Sequence, residues 1–259
     1  MNLSIIIPVY NSSKILDKLA YEINFFLTNE LKDQYEIIFI NDSSSDNSWK
    51  VVKELSRKFS FIKGVNLEKN IGQHGAIFVG LQFSKGKKII IMDDDLQHPP
   101  GSLISIYNKL DDFDACYTLY LKRKHVYWKI LISMTNNYFS SFLFNKPNNI
   151  YLSSLKGIRG NIKDEIISKR PKIPFIDSLI LKQTMNITNI KVNHQERFEG
   201  GSNYNLKKLF ILWFDMIENY HFYPFRFGSL IGLIAYLFVK LIRLFNKNRI
   251  NPIVKDKTF

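Results

Sequence analysis

The first 120 residues alternate short β-branched runs with longer amphipathic ones, and this alternation restricts the fold more than any other feature of the chain. Leu3–Val9 is a strand-like run closed by Asn11-Ser12-Ser13, after which Ile15, Leu16, Leu19, Ile23 and Phe26 recur at helical spacing. Residues 36–40 form the second run, and Val51, Val52, Leu55 and Phe59 mark the helix after it. A third strand is expected at residues 61–67, a third helix at 72–83, closed by Gly86, and a fourth strand at 88–92. A βαβαβαβ order of this kind predicts an α/β fold with a mostly parallel sheet and helices on both faces. In such sheets ligands sit at the carboxyl ends of the strands. The polar loops Tyr10-Asn11, Asp42, Asn70 to Gln73 and Asp93 to Gln97 all fall on that edge.

The fourth strand runs straight into charge: Ile89-Ile90-Ile91-Met92-Asp93-Asp94-Asp95-Leu96-Gln97-His98-Pro99-Pro100. Adjacent carboxylates at a strand end repel one another unless a cation sits among them. A hard, oxygen-ligated ion such as Mg2+ or Mn2+ suits such a turn, with substrate phosphates completing its coordination. The plainer alternative is a solvated acidic turn. Against these local acids the whole chain of 259 residues carries a net charge of +13, which suggests an anionic partner: nucleic acid, a membrane surface or a phosphorylated substrate. The single cysteine, Cys116, excludes an internal disulfide, and no Cys/His cluster has zinc spacing, as expected of a reducing compartment. Met1-Asn2-Leu3-Ser4 leads directly into a strand without a basic n-region or cleavage site, so no signal peptide is expected. The 21 Phe and 13 Tyr fit a large core or a lipid interface.

Beyond residue 120 the pattern changes. Residues 121–144 read as helical, open with Lys122-Arg123-Lys124-His125 and are rich in aromatics. Asn145-Lys146-Pro147-Asn148-Asn149 is a break. A strand is expected at 153–158, a short helix at 163–168, a strand at 187–197 and an amphipathic helix at 206–219. The reading is one catalytic domain over residues 1–220, followed by a juxtamembrane and membrane-anchoring helix with a basic tail over 221–259.

Several segments resemble a known family. Ser-Ile-Ile-Ile-Pro-Val-Tyr-Asn at 4–11, Ile-Asn-Asp-Ser-Ser-Ser-Asp at 40–46 and Lys-Asn-Ile-Gly-Gln-His-Gly-Ala at 69–76 resemble the opening of family-2 glycosyltransferases. Met-Asp-Asp-Asp-Leu-Gln-His-Pro-Pro at 92–100 resembles the Asp-x-Asp-Leu-Gln-x-Pro-Pro signature of polyprenyl-phosphate glycosyltransferases, the group containing dolichyl-phosphate mannose synthase. Arg-Phe-Glu-Gly-Gly-Ser-Asn-Tyr at 197–204 is similar to that group's Arg-x-x-Gly-x-Ser-Lys-Tyr, and Tyr223-Pro224-Phe225-Arg226 to its Pro-Leu-Arg. The resemblance covers about residues 3 to 245 and implies the Rossmann-like GT-A fold.

By this resemblance Asp93, Asp95 and Gln97 hold the metal, Asp93 and Asp95 also bracket the donor ribose, and Asp94 points away and is dispensable. Pro8, Tyr10, Asn11 and Asp42 line the donor pocket, with Asp42 accepting from the base; its alternative role is a helix cap. Asn70 and Gly72 shape the loop near the diphosphate. Arg197 is a candidate phosphate clamp and catalytic residue, since a guanidinium grips phosphate in bidentate fashion; its alternative is an ion pair with Glu196 or Glu199. Ser202 belongs to the same motif, where Asn203 replaces the usual Lys. Arg123 and Arg159 are candidate ligands of the acceptor phosphate, though Arg123 sits in a basic run that water can solvate. Arg159 lies in Lys156-Gly157-Ile158-Arg159, which resembles the family's Ser-Gly-Phe-Arg except at Lys156. Asp177 is a second catalytic carboxylate or an N-cap. His74 and His98 read as loop histidines.

The resemblance implies an inverting enzyme that moves a sugar from a UDP- or GDP-linked donor to polyprenyl phosphate on the cytoplasmic face of the cell membrane, for cell-surface glycan synthesis. A phosphate acceptor is already ionised and needs little from a general base. Transfer to a saccharide hydroxyl is the alternative activity, and a membrane-bound sugar-nucleotide-binding protein the non-enzymatic one. From Phe227 to Val239 the chain carries no charge, but these 13 residues make roughly 20 Å of helix, short of the about 20 residues a span requires. Arg226, Ser229, Gly232, Tyr236, Lys240, Arg243 and Lys247 share one helical stripe, a pattern for a helix lying in an anionic lipid interface rather than spanning it. A single span is the alternative. The basic residues cluster near Lys122 and this tail, favouring phospholipid headgroups over nucleic acid. A homo-oligomer is left open.

Overall fold

Four strands form the centre of the molecule, and each is buried on both faces. They are β1 (Leu3–Val9), β2 (Tyr35–Asn41), β3 (Ile62–Leu67) and β4 (Lys88–Ile91). Burial on both sides explains why their sequences are almost continuously apolar rather than alternating. A computed structural model of the chain describes residues 1–31, 34–99, 101–120, 146–147, 149–171, 174–192 and 253–259. Within these residues the other elements are α1 (Leu16–Leu31), α2 (Ser48–Lys58), α3 (Gln73–Phe83), α4 (Gly101–Lys109), β5 (Ala115–Tyr120), β6 (Lys156–Arg159), α5 (Gly160–Ser168), α6 (Ile176–Gln183), β7 (Ile187–Val192) and β8 (Val254–Lys257).

The eight strands make one sheet in the order β7-β5-β6-β4-β1-β2-β3-β8. β1 pairs in parallel with β2 and β4, and β2 with β3, as the alternation predicts. β6 and β8 run against the others. Side chains alternate between two cores. Ile6, Ile38 and Ile89 pack with α3, α5 and α6 on one face. Ile5, Ile7, Ile37 and Ile90 pack with α1, α2 and α4 on the other. Between residue 100 and residue 120, where the sequence marks no element, the structure has α4 and β5.

Two features fix the ends of this frame. At the amino ends of the strands the buried carboxylate of Glu36 accepts from Ser4 Oγ (2.5 Å), the Lys85 backbone N–H (2.7 Å) and Lys63 Nζ (2.5 Å). Burial alone would raise its pKa; Lys63 and the hydrogen bonds outweigh it and hold the carboxyl below its usual range. At the β3 margin, β8 pairs Leu67 with Val254, Asn66 with Asp256 and Val65 with Lys257. Glu68 N donates to Ile253 O (3.0 Å), Thr258 N to Gly64 O (3.0 Å), and the Phe259 ring stands edge-on to Phe83. A pairing strand here covers polar groups that β3 would otherwise expose. The sequence reading assigned residues 221–259 to a separate anchor; residues 254–257 instead belong to the domain's own sheet.

Candidate active site

The loops after β1, β2, β3 and β4 converge on the carboxyl edge of the sheet. Each contains a residue with positive φ: Asn11 (55°), Ser43 (55°), Gly72 (82°) and Leu96 (58°). Such conformations are costly for non-glycine residues and concentrate where surrounding contacts dictate the backbone. Those contacts can be traced. Asn11 Oδ1 accepts from Ser45 N (2.9 Å), and Asn11 N donates to Ser44 Oγ (3.0 Å), which locks the first loop to the second. Asp46 completes this link by accepting from Ser13 N and Ser48 N, both at 3.0 Å.

Asp42 ties its own loop to the loop after β3. Its two carboxylate oxygens accept the backbone N–H groups of Ile71 (2.8 Å) and Gly72 (2.9 Å), and its carbonyl accepts from Asn70 Nδ2 (3.1 Å). Burial pushes its pKa up, against these hydrogen bonds. Asp46 rather than Asp42 binds at the start of α2, so the expected helix cap is not formed by Asp42; the Asp42 carboxylate keeps acceptor sites beyond the two N–H groups it holds. Asp42, Asn70 and Gly72 therefore form one unit that shapes the entry to α3. Gly72, with φ 82° and ψ 163°, is in a region open essentially to glycine alone. Pro8 is buried in β1 opposite Ile40, while the Tyr10 ring is 52% exposed at the mouth of the edge.

The acidic turn is drawn apart by its neighbours. Asp93 Oδ1 accepts from Gln73 Nε2 (2.5 Å), and its Oδ2 lies 3.6 Å from His98 Nε2. Burial would raise the Asp93 pKa, but His98, Ser154 and Lys156 hold it low. Asp94 turns the other way: its Oδ2 accepts from Ser12 Oγ and from Tyr10 N (3.4 Å). Burial pushes Asp94 up to about 6. Asp95 Oδ1 accepts from Gln97 N (3.1 Å), and left-handed Leu96 sends its side chain into the core. Asp94 thus points away from the other two and links the first loop to the acidic turn. Among the described residues no three Asp, Glu, His or Cys side chains converge as a complete metal cage. The donor set that remains, Asp93 and Asp95 with the Gln97 amide, is all oxygen. It fits a hard divalent cation that takes its other ligands from substrate and water.

Beneath the turn lies a buried polar cluster that the sequence reading missed. Lys156, level with Ile91 in β4, donates to Asp177 Oδ1, and Tyr117 OH donates to the same oxygen (3.1 Å). Asp177 is buried in the first turn of α6, whose N-cap is Phe175. The N-cap role expected of Asp177 is not observed; its carboxylate is instead engaged by Lys156 and Tyr117. A charged residue within the wholly buried stretch from Phe175 to Leu181 was the available signal, since buried charges need partners. His74 sits in the first turn of α3 against the Phe175 ring, with burial pushing its pKa down to about 4. His74 thus lies in a helix rather than a loop, whereas His98 is in the loop before α4, as expected, and buried there.

Arg159 needs a further correction. β6 runs antiparallel to β4, so Lys156 is at the carboxyl edge and Arg159, paired with Lys88, is at the opposite one. There its guanidinium donates to Leu110 O (2.7 Å), Asp111 O and Asp114 Oδ1 (3.2 Å), far from any acceptor beside Asp93. Arg123, Arg197, Ser202 and the apolar segment at 225–245 lie outside the described residues.

The sequence of residues 4–162 matches the model of glycosyl transferase family 2. The chain is a family-2 glycosyltransferase. It is 30% identical over 247 residues to an undecaprenyl-phosphate 4-deoxy-4-formamido-L-arabinose transferase of Edwardsiella ictaluri, covering 93% of this chain and 76% of that one. The Klebsiella pneumoniae enzyme of the same name is 31% identical, over 92% and 75%. Among solved structures, the glucosyl-3-phosphoglycerate synthase of Mycobacterium tuberculosis with Mn2+, UDP and glucosyl-3-phosphoglycerate superposes with a TM-score of 0.61. It shares 14% identity, over 85% of this glycosyltransferase and 80% of that chain. The mannosyl-3-phosphoglycerate synthase of Rubrobacter xylanophilus gives 0.61 at 12% identity, over 89% and 77%. At such identities these two establish the GT-A-like fold alone.

Proposed function

We propose that this glycosyltransferase moves a sugar, with inversion, from a nucleotide sugar to polyprenyl phosphate at the cytoplasmic membrane face, and that Mg2+ or Mn2+ assists. The observation that carries the reading is the arrangement of the carboxyl edge. Asp93 and Asp95 stand at the end of β4, with Asp94 diverted to Ser12, beside a loop that Asp42 and Gly72 hold in place. The relatives whose names state an undecaprenyl-phosphate acceptor match over nearly the whole chain, and solved neighbours carry UDP with Mn2+ or Mg2+.

When bound, the ion would neutralise the charge that develops on the departing nucleoside diphosphate. The chain's own residues supply the rest. Asp93 and Asp95, with Gln97, would hold the ion, and Gln73 and His98 orient the Asp93 carboxylate. Tyr10 and Asn11 line the nucleoside side, while the Asn70–Gly72 loop approaches the diphosphate. Arg123, Arg197 and Ser202 are the candidates for the acceptor phosphate. Asp177, neutralised by Lys156, is not needed as a base, because the attacking phosphate oxygen is already anionic. The test is to incubate purified protein and Mn2+ with UDP- and GDP-sugars, offering polyprenyl phosphate and saccharide acceptors in parallel. The reading expects a glycosylated lipid phosphate. Glycosylation of saccharide hydroxyls alone would replace it with the alternative transferase.

A further inference from the structure

β8 is a strand that its own burial hardly holds in place. Val254 and Thr258 are half-buried, while Ile253, Lys255, Asp256, Lys257 and Phe259 are exposed. Residues 253–259 are therefore fixed mainly by hydrogen bonds and ring contacts to β3, α2 and α3. A segment with so little apolar burial opens at a fraction of the global unfolding free energy.

Its contacts follow β3 from one end to the other. Towards the amino end of β3, Thr258 N donates to Gly64 O (3.0 Å) and Thr258 Oγ1 accepts from Gly64 N (2.8 Å). Phe259 stands edge-on to Phe83 of α3, with ring centres 5.6 Å apart. Further along, Trp49 Nε1 of α2 donates to Asp256 Oδ2 (3.3 Å). At the carboxyl end of β3 the register shifts. Asn66 is opposite Asp256 but Leu67 is opposite Val254, so Lys255 is the extra residue of a bulge. A bulge bends its strand and re-aims what adjoins it. This one brings Ile253 O to the backbone N–H of Glu68 (3.0 Å), the first residue beyond β3.

Glu68 is held from two sides. Ile253 takes its N–H, and its carbonyl accepts from Ser43 Oγ (3.3 Å) in the loop after β2. Just behind, the buried Asn41 Nδ2 donates to Asn66 Oδ1 (2.7 Å), tying the ends of β2 and β3 together. Just ahead, Asp42 holds the N–H groups of Ile71 and Gly72. Residues 68–72 thus lie between β8 and the Asp42 loop, with a hydrogen bond to each.

We propose that β8 is a strap energetically coupled to the donor loop: its pairing with β3 and the binding of a nucleoside diphosphate at the carboxyl edge favour each other. The bonds at Thr258 and Asp256 are made to Gly64 and Trp49, not to the loop, so they reach it only through β3 and Glu68. Such coupling is reciprocal. Whatever factor the paired strap adds to nucleotide affinity, bound nucleotide adds to the pairing of the strap. A strand that only covers an exposed sheet edge predicts something else: its release would lower stability and leave affinity unchanged. The ligand half of this inference rests on the donor reading above; the hold of the strap on residues 68–72 does not.

The experiment uses the full chain and two substitutions at residue 258. Thr258→Pro removes the N–H and the hydroxyl, and with them both bonds to Gly64. Thr258→Ala removes the hydroxyl alone and is the milder variant should the first fail to fold. Hydrogen exchange without ligand reads the loop. The Glu68, Ile71 and Gly72 amides are expected to exchange about five- to tenfold faster in Thr258→Pro, and by less in Thr258→Ala, with the amides of β1 unchanged. Unaltered exchange at Ile71 and Gly72 overturns the strap. Calorimetry with Mn2+ and UDP, and in parallel GDP, reads the site. Whichever nucleotide the wild type binds should bind Thr258→Pro about five- to tenfold more weakly. The same nucleotide should slow exchange of the wild-type Thr258 amide by a similar factor. Equal affinities, or a Thr258 amide indifferent to bound nucleotide, overturn the coupling. Binding of neither nucleotide by the wild type would sink the donor reading and the ligand half with it, while exchange at Ile71 and Gly72 still decides whether the strap holds the loop.

Discussion

Asp95 and Asp94 are neighbours with opposite expected phenotypes. Asp95→Ala removes a carboxylate of the proposed metal set and touches little packing. Transfer is expected to fall by about a hundredfold or more, with the thermal midpoint almost unchanged; full activity in this variant would sink the metal assignment. Asp94→Asn keeps an oxygen for Ser12 and Tyr10 but removes a half-buried charge. The folded-state pKa of Asp94 is raised from 3.8 to about 6. Its contribution to stability is therefore fully present below pH 3.8 and is lost as pH rises through about 6. In chelator, the melting-temperature advantage of Asp94→Asn over wild type should widen between pH 4 and pH 7, and a gap independent of pH would contradict the buried-carboxylate account. Gly72→Ala forces a Cβ onto a backbone with φ 82° and ψ 163°. About 1–3 kcal/mol of strain is expected, read as a lower unfolding midpoint together with a raised KM for the sugar nucleotide, since the N–H groups that Asp42 holds must shift. The residue roles themselves were only half legible. Types and spacing pointed to Asp93, Asp95, Asn70 and Gly72, but not to which partner each carboxylate takes. Asp42 turned to Ile71 and Gly72 through contacts 29 and 30 residues away in sequence, which no local pattern records.

At the scale of elements, β1 to β4 and the first three helices were readable because each buries a periodic set of apolar residues. β1 was placed to the residue and β2, β3, β4 and α3 within one, whereas α1 runs on to Leu31 past its last expected marker, Phe26, and α2 starts at Ser48, ahead of Val51. α6 was missed because Ile176–Gln183 has only eight residues, too few for a helical period to show, and buries Asp177 and Ser178 along with its apolar residues. β8 was missed because Val-Lys-Asp-Lys is a polar edge strand whose assignment comes from its partner, not its composition. Arg159 was misplaced for a related reason: a motif gives order along the chain, whereas the reversal of β6 decides which edge its last residue reaches. The element contacts also make a stability prediction. Glu36, in β2, collects Ser4 of β1, Lys63 of β3 and the Lys85 N–H. Glu36→Ala leaves Lys63 without its carboxylate and should lower the unfolding free energy by about 3–5 kcal/mol, measured by denaturant titration. A loss below about 1 kcal/mol would place this network among weak surface pairs.

For the whole molecule, a single sheet collects every candidate donor residue on one edge. Among the described residues no helix is long and apolar enough to cross a membrane. The proposed metal turn and the loops expected to hold the donor thus share one edge. The most direct test follows a labelled sugar. Purified protein, Mn2+, the cognate nucleotide sugar and polyprenyl phosphate are incubated, and the mixture is partitioned between organic solvent and water. The label should move into the organic phase as a glycosyl phospholipid and stay in water when the metal is chelated. Label that reaches only water-soluble saccharide, or that enters the organic phase undiminished by chelator, would contradict the account.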